Sequence, residues 1–298
     1  MSQLRTNPGL NPQTINELVI APPKIYTYFQ DFNDNFFQAN VTDYSAINAW
    51  WMSEFSTLIY ESKDKVKEEI SKITNVEPIW LNSDDTNTQG LVVEFDEFIV
   101  IAFRGTELFR VSEINDFEKV NNFVQDFITD ISGLDGNDLR GVSVHGGIND
   151  ALNSVWEELY NLLEEASKPI WFNGHSLGGA LALLAAFKWE VNPERIGGVY
   201  TIGCPATGGS DFKEKYDAEL YEKTFHHIYG EDIVTNIGQF IRNLPGIINF
   251  EQVGQKFYLP RTDVNLVENI IYRLLMPFID HGPIFYMNYL WNQMIEQT

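Results

Sequence analysis

A serine between two glycines lies at the centre of the run Gly174-His175-Ser176-Leu177-Gly178. The apolar residues 169–173 before it are typical of a buried strand, and the Ala- and Leu-rich residues 177–189 after it are typical of a helix. A sharp strand-to-helix turn needs small residues where backbone meets backbone, and it lifts a serine hydroxyl clear of the sheet edge. The pattern therefore predicts Ser176 as a nucleophile.

A serine hydroxyl needs a neighbouring base before it attacks a carbonyl at neutral pH. The chain has five histidines. His226 and His227 follow Ser176 in the chain and stay open as bases, but they lie inside the predicted strand 224–229, where a role as sheet histidines, one on each face, is favoured. His281 precedes a Gly-Pro pair in a loop-like setting, and loops at sheet ends carry catalytic groups. We predict His281 as the base.

The base needs an acid to orient it, and carboxylates follow the predicted strand in residues 228–234. Asp232 is the preferred candidate because it lies in the loop after the strand, and its neighbour Glu231 is the rival. Asp280 adjoins His281, but sequence neighbours point apart. We therefore expect Asp280 to be a solvated loop carboxylate.

Developing negative charge on the attacked carbonyl oxygen requires two hydrogen-bond donors. One is the backbone N–H of Leu177 at the start of the predicted helix. The second is expected from a loop after another central strand, and Phe103-Arg104-Gly105-Thr106 ends the most apolar strand in the chain. Thr106 is thus a candidate donor, with an ordinary strand exit as the equal alternative.

The remaining elements alternate between strand and helix. Apolar spacing predicts one helix over residues 45–72 and another over 147–166, whereas two apolar runs around Asp96-Glu97 predict a strand pair. This pair covers residues 91–95 and 98–103, and further strands are predicted over these segments: 169–173, 196–202 and 224–229. This rhythm predicts an α/β fold with a mainly parallel central sheet and right-handed crossovers.

The chain resembles the class 3 lipases, which are the fungal triacylglycerol lipases and their plant and bacterial relatives. The resemblance covers about residues 90–285 and rests on motifs that occur in the family's order: Phe103-Arg104-Gly105-Thr106, Val144-His145-Gly146-Gly147, Gly174 to Ala180, Gly203-Cys204-Pro205, Asp232-Ile233-Val234 and Asp280-His281. It implies an α/β-hydrolase fold with helices on both faces of the sheet and a helical lid or cap. It also implies acyl-ester hydrolysis, a catalytic triad and an oxyanion hole: Ser176, Asp232 and His281, with Thr106 and Leu177. The resemblance therefore favours Asp232 over Glu231 as the acid.

We expect residues 1–298 to form one domain with three additions. Residues 1–75 are predicted as an N-terminal helical region, residues 107–140 as a lid and residues 236–278 as a cap insertion. Within the lid, Asp130 resembles the family's lid-end aspartate, and an apolar helical stripe is made by Ile114, Phe117, Val120, Val124, Phe127 and Ile131. For the cap, packing over an acyl pocket is favoured over a membrane-contacting surface.

Composition limits the partners. Lys and Arg number 20 against 42 Asp and Glu, which gives a formal net charge of −22. That charge disfavours nucleic acid and anionic lipid but is compatible with peripheral contact with lipid droplets or neutral membranes. The one cysteine excludes an intrachain disulfide and a zinc-type spacing, so we expect no metal and no cofactor. The start of the sequence lacks the pattern of a signal peptide, and a cytoplasmic location is expected.

These features predict a serine hydrolase that cleaves carboxylic esters of lipids, as an acylglycerol lipase or esterase does, through an acyl-enzyme. A phospholipase or a soluble carboxylesterase would use the same triad, and so would an acyltransferase. A binding protein that keeps the fold without turnover is the competing class.

Overall fold

A seven-stranded sheet forms the centre of the molecule. The computed structural model describes residues 3–5, 22–23, 26–106, 136–190, 192–236, 250–261 and 276–297. The strands stand in the order β1-β2-β3-β6-β7-β8-β9, and β4 and β5 form a separate hairpin. Their bounds are β1 Ile79–Ser83, β2 Thr88–Glu94, β3 Ile99–Phe103, β4 Gly136–Leu139, β5 Val142–His145, β6 Ile170–His175, β7 Ile196–Ile202, β8 Thr224–Tyr229 and β9 Gln255–Leu259.

The sheet is mainly parallel, as the sequence predicts. Strands β3, β6, β7, β8 and β9 run parallel, and β1 and β2 are antiparallel additions at one edge. The predicted turn at Asp96-Glu97 joins β2 to β3, with the Phe95 N–H donating to the Phe98 carbonyl at 2.8 Å. All five residues of β3 are buried, as expected of a strand covered on both faces.

Helices cover both faces of the sheet. Alternate residues of β3 enter two different apolar clusters, with Val100 and Ala102 on one face and Ile99, Ile101 and Phe103 on the other. The helices are α1 Ala46–Leu58, α2 Lys63–Ile73, α3 Gly146–Leu163, α4 Leu177–Lys188, α5 Ser210–Leu220 and α6 Pro283–Gln297. Apolar residues of α1, α2 and α6 join the first cluster, and those of α3, α4 and α5 join the second. This is the α/β-hydrolase architecture expected.

The predicted helix over residues 45–72 is two helices. Helix α1 ends at Leu58, and α2 begins at Lys63 after an N-cap serine, Ser62, whose side chain accepts from the Lys65 N–H at 3.3 Å. A serine in that position favours the start of a new helix, because its side chain accepts from an N–H that has no acceptor within the helix. The interruption places Tyr60 in the turn between the two helices, which matters for the site described below.

Two predicted insertions contain regular strands. Within the interval 236–278, β9 is part of the central sheet and not of a cap. Its residues alternate between half-buried and exposed before the buried Leu259, which makes a weak strand pattern. Within 107–140, β4 pairs with β5. The predicted lid helix and Asp130 lie outside the described residues, as does most of the predicted cap. Among the helices that the structure describes, none is long and apolar enough to cross a membrane.

Candidate active site

Ser176 occupies a sharp turn between β6 and α4. Its backbone has φ 56° and ψ −131°, a left-handed conformation that costs free energy in a non-glycine residue. The flanking glycines are required by space: a β-carbon at Gly174 would lie 2.2 Å from the Gly178 carbonyl carbon, and one at Gly178 would lie 2.1 Å from the Phe103 carbonyl oxygen. The strain is therefore held in place by backbone packed against backbone.

The Ser176 side chain is buried, and its Oγ has no hydrogen-bond partner among the described residues. The Ser176 N–H donates to the Ile202 carbonyl at 3.0 Å, which ties the turn to the end of β7. No side chain caps the N-terminus of α4, so the first N–H groups of that helix and its positive dipole end are not engaged by a capping side chain.

Asp232 and His281 are in direct contact. The Nδ1 atom of His281 lies 2.9 Å from Oδ1 and 2.8 Å from Oδ2 of Asp232, and both side chains are buried. Since a carboxylate only accepts, Nδ1 carries the hydrogen, and in the neutral ring Nε2 has the lone pair. That Nε2 is buried without a hydrogen-bond partner in the described part of the chain. A neutral imidazole in this orientation can act as a general base.

Gly203 connects this pair to the serine turn. A β-carbon at Gly203 would lie 2.9 Å from Asp232 Oδ2 and 3.0 Å from His281 Nδ1. Gly203 directly follows Ile202, whose carbonyl holds the Ser176 N–H. The described residues contain no hydrogen bond between Ser176 Oγ and His281 Nε2, yet the two unpartnered buried atoms belong to adjoining segments.

Two donors besides His281 hold the Asp232 carboxylate. The Tyr286 hydroxyl donates to Oδ2 at 2.6 Å, and the Val234 N–H donates to Oδ1 at 2.8 Å. Burial, with the nearby Asp232 charge, raises the pKa of Tyr286 well above its ordinary value, so its phenol remains a donor. Sequence reasoning missed Tyr286, because nothing in the C-terminal apolar segment distinguishes this tyrosine from core residues.

Asp280 is not a solvated loop carboxylate. Its side chain is 1% exposed, it accepts from Arg261 Nε at 3.0 Å, and it accepts from the Glu231 N–H at 2.7 Å. Burial raises the pKa of Asp280, and the hydrogen bond from Arg261 opposes that rise. The expectation failed because Arg261 lies 19 residues away and no local pattern links the two.

The rival acid and the other histidines have different surroundings. The Glu231 side chain is exposed, whereas Asp232 is 0% exposed and bonded to the imidazole. His226 and His227 lie in β8, where their Nδ1 atoms are 2.6 Å from Thr201 Oγ1 and 3.1 Å from the Thr201 carbonyl oxygen. Burial lowers the pKa of His226 to about 3 and that of His227 to about 4. They are neutral sheet histidines.

The two candidate oxyanion donors line one cavity. Thr106 and Leu177 contribute to the wall of a cavity of about 440 Å³, together with Arg104, Gly105 and residues 86–89, Ala151 and Leu181. The Gly105 N–H is already engaged by the Tyr60 hydroxyl at 3.0 Å, so Thr106 remains the candidate from this strand exit. Its role stays a prediction.

The fold is that of the α/β-hydrolases. The family model described as Lipase (class 3) matches residues 100–240. The matched segment contains the serine turn and Asp232, and the match agrees with the resemblance seen in the sequence.

Individual relatives agree with this assignment. A lipase from Rhizopus niveus is 29% identical over 164 residues, which are 51% of this chain and 38% of that protein. A secreted mono- and diacylglycerol lipase, LIP4 of Malassezia restricta, is 26% identical over 128 residues, with 40% of each chain covered. The chain thus spans about two fifths of the length of these curated relatives. The lipase structure from Rhizopus microsporus var. chinensis has a TM-score of 0.53 at 18% identity, covering 78% of this chain and 81% of that one, and supports the fold.

Proposed function

We propose that the protein is a serine hydrolase that cleaves carboxylic esters of lipids. The observation that carries this proposal is the contact of 2.8 Å between His281 Nδ1 and Asp232 Oδ2, beside a buried Ser176 that stands in a strained turn. The contact fixes the imidazole tautomer whose free Nε2 accepts a proton. The match of residues 100–240 to the class 3 lipase model supports the same chemistry.

In the proposed reaction, Ser176 Oγ attacks the ester carbonyl carbon while His281 Nε2 takes the hydroxyl proton. The tetrahedral oxyanion receives hydrogen bonds from the N–H groups of Leu177 and Thr106. Collapse breaks the carbon–oxygen bond to the alcohol, which leaves with the proton from His281, and forms an acyl-enzyme on Ser176. Water, deprotonated by His281, then releases the carboxylic acid, and Asp232 stabilises the imidazolium in both steps.

An acylglycerol is the proposed substrate class, because the relatives named above are lipases and one is a mono- and diacylglycerol lipase. A phospholipase and a soluble carboxylesterase are the alternatives. Emulsified triacylglycerol, diacylglycerol, phospholipid vesicles and monomeric short esters should be compared at equal ester concentration. Highest turnover on acylglycerols supports the proposal, whereas turnover confined to phospholipid or to monomeric esters contradicts this part of it.

Ser176→Ala tests the enzyme class. We expect it to abolish hydrolysis of p-nitrophenyl butyrate, because the nucleophile is removed. Ser71→Ala is the matched control, since Ser71 is exposed on α2 and its hydroxyl donates to the Glu68 carbonyl at 2.7 Å. Hydrolysis by Ser176→Ala at the wild-type rate, or an inert wild type in a folded state, would favour the non-catalytic binding protein.

The cellular location of the protein and its contact with membranes stay predictions from the sequence. We propose a cytoplasmic location with peripheral contact with lipid droplets or neutral membranes, supported by the formal charge of −22, which disfavours anionic surfaces. Flotation with neutral and with anionic vesicles, together with cell fractionation, tests both parts. Binding that is tighter to anionic vesicles contradicts the proposed contact with neutral surfaces, and recovery outside the cytoplasm contradicts the proposed location.

A further inference from the structure

Tyr60 lies between the strand exit of β3 and the serine turn. It stands in the short segment between α1 and α2, and its hydroxyl oxygen accepts from the Gly105 N–H at 3.0 Å. The same oxygen lies 3.1 Å from His175 Nδ1. On the other side of the His175 ring, Nε2 lies 2.9 Å from the carbonyl oxygen of His281. One phenol thus begins a chain of contacts that ends at the backbone of the proposed base.

The donor and the acceptor of each hydrogen bond in this series follow from the groups at its two ends. A carbonyl oxygen only accepts, so His175 Nε2 carries a hydrogen and donates to His281. Burial, with the neighbouring His281, holds the pKa of His175 well below its ordinary value, so the ring is neutral and Nδ1 has a lone pair. The Tyr60 hydroxyl must therefore donate to Nδ1 while it accepts from Gly105.

The phenol is closely enclosed. A β-carbon at Gly105 would lie 2.4 Å from the Tyr60 hydroxyl oxygen and 2.6 Å from the His175 carbonyl oxygen. The rings of His175 and His281 are also close, with centroids 4.5 Å apart. A shift of Tyr60 would thus be transmitted to both neighbouring segments, because little free space separates them.

We propose that Tyr60 is a positioning residue of this hydrolase, which fixes the Nε2–H tautomer of His175 and thereby the place of His281. It also aligns Gly105, and hence the neighbouring N–H of Thr106. The inference rests on the proposed function. It assigns a role at the active site to a residue that lies outside the segment matched by the family model, residues 100–240.

Tyr60→Phe keeps the ring and removes only the hydroxyl. Nδ1 of His175 then has no donor, and the alternative tautomer would turn the Nε2 lone pair toward the His281 carbonyl oxygen. We expect kcat for p-nitrophenyl butyrate to fall by about tenfold to a hundredfold with KM unchanged, because the base is displaced from its working geometry. The matched control is Tyr44→Phe, which removes one tyrosine hydrogen bond, to Gln293 Oε1 at 2.9 Å.

The ring nitrogens of His175 give a readout that a purely structural role would not move. In ¹⁵N-histidine-labelled protein, assigned with a His175→Asn variant, we expect the Nε2–H tautomer in the wild type. Tyr60→Phe should change that pattern, and Tyr44→Phe should leave it intact. An Nδ1–H tautomer or a charged ring in the wild type would overturn the proposal, and this outcome does not depend on the folding of Tyr60→Phe.

Failure of the proposed function can be distinguished from failure of the positioning role of Tyr60. If the wild type hydrolyses no ester, the proposed function fails, while the tautomer still reports whether Tyr60 fixes His175. A Tyr60→Phe variant whose kcat is no lower than that of Tyr44→Phe overturns the positioning role. Thermal unfolding of both variants serves as the stability reference. An equal loss of melting temperature in the two, with a kcat loss only in Tyr60→Phe, supports the role.

Discussion

Tyr286 donates a hydrogen bond to Asp232 Oδ2 at 2.6 Å, from a position five residues after His281, which bonds to the same oxygen at 2.8 Å. The Tyr286 oxygen also accepts from the Tyr229 N–H at 3.1 Å. The proposed acid is thus held by a side chain that α6 fixes against β8. Removal of this hydroxyl would leave the carboxylate with fewer donors in a buried setting.

Tyr286→Phe should lower kcat by about tenfold, the equivalent of about 1.4 kcal/mol in the barrier, because Asp232 is free to rotate away from the imidazole. It should also lower the free energy of unfolding by about 2 kcal/mol, since a hydrogen bond to a charged group is lost. Steady-state kinetics and urea unfolding measure the two effects. Tyr289→Phe, half-buried on the same helix, is the control, and equal effects in both variants would contradict the role.

Gly178→Ala should lower the free energy of unfolding by about 3 kcal/mol or more, because the new β-carbon would meet backbone that has no room to move. Its distance from the Phe103 carbonyl oxygen would be 2.1 Å. Gly141→Ala is the comparison: Gly141 has φ 81° with nothing within 4 Å of an added β-carbon, so conformational strain alone should cost about 1–2 kcal/mol. Equal losses in the two variants would show that packing is not the constraint at Gly178.

Acid should destabilise the protein partly through His226 and His227. Burial lowers the pKa values of these residues to about 3 and about 4, whereas the unfolded chain takes up protons near the ordinary value of 6.5. The unfolded state therefore binds more protons as the pH falls from about 6 to 4, and stability declines by about 1.4 kcal/mol per pH unit for each histidine.

His226→Gln should remove one of these two contributions. Chemical denaturation at several pH values between 7 and 4 would compare the variant with the wild type, and the two stability curves should diverge by about 1.4 kcal/mol per unit in the lower part of that range. Parallel curves would mean that His226 titrates alike in both states, against the burial seen in β8.

The ion pair of Arg261 with Asp280 joins the segment after β9 to the loop that carries His281. Arg261→Ala should lower the free energy of unfolding by about 3 kcal/mol, because it leaves a buried carboxylate without its cation. The double variant Arg261→Ala/Asp280→Asn should recover part of the lost free energy of unfolding. Guanidinium unfolding of the single and double variants measures this, and strict additivity would contradict a direct interaction.

The residues of the proposed triad could be predicted from the sequence because each adjoins a recognisable element. Ser176 lies between a strand and a helix, and Asp232 follows β8. The two strands at 196–202 and 224–229 were predicted with the bounds that the structure gives, since each is a short apolar run flanked by polar residues.

The residues that hold the triad could not be predicted in the same way. Tyr286 and Tyr60 act through single hydroxyl groups whose partners lie 54 and 115 residues away in the chain. The residues that flank them in the sequence have the pattern of ordinary core residues. The sequence predicts a solvated Asp280, because the residues around it give no sign of Arg261. Such pairings are set by tertiary contacts, which hydrophobic periodicity does not encode.

The account is tested most directly by the reaction of the folded protein with a fluorophosphonate, followed by intact-mass measurement and peptide mapping. We predict one adduct, on Ser176, that is absent from Ser176→Ala and forms at least tenfold more slowly in His281→Ala, because the base no longer takes the hydroxyl proton. No adduct, or an adduct on another residue of the folded wild type, would contradict the assignment of Ser176 as an activated nucleophile.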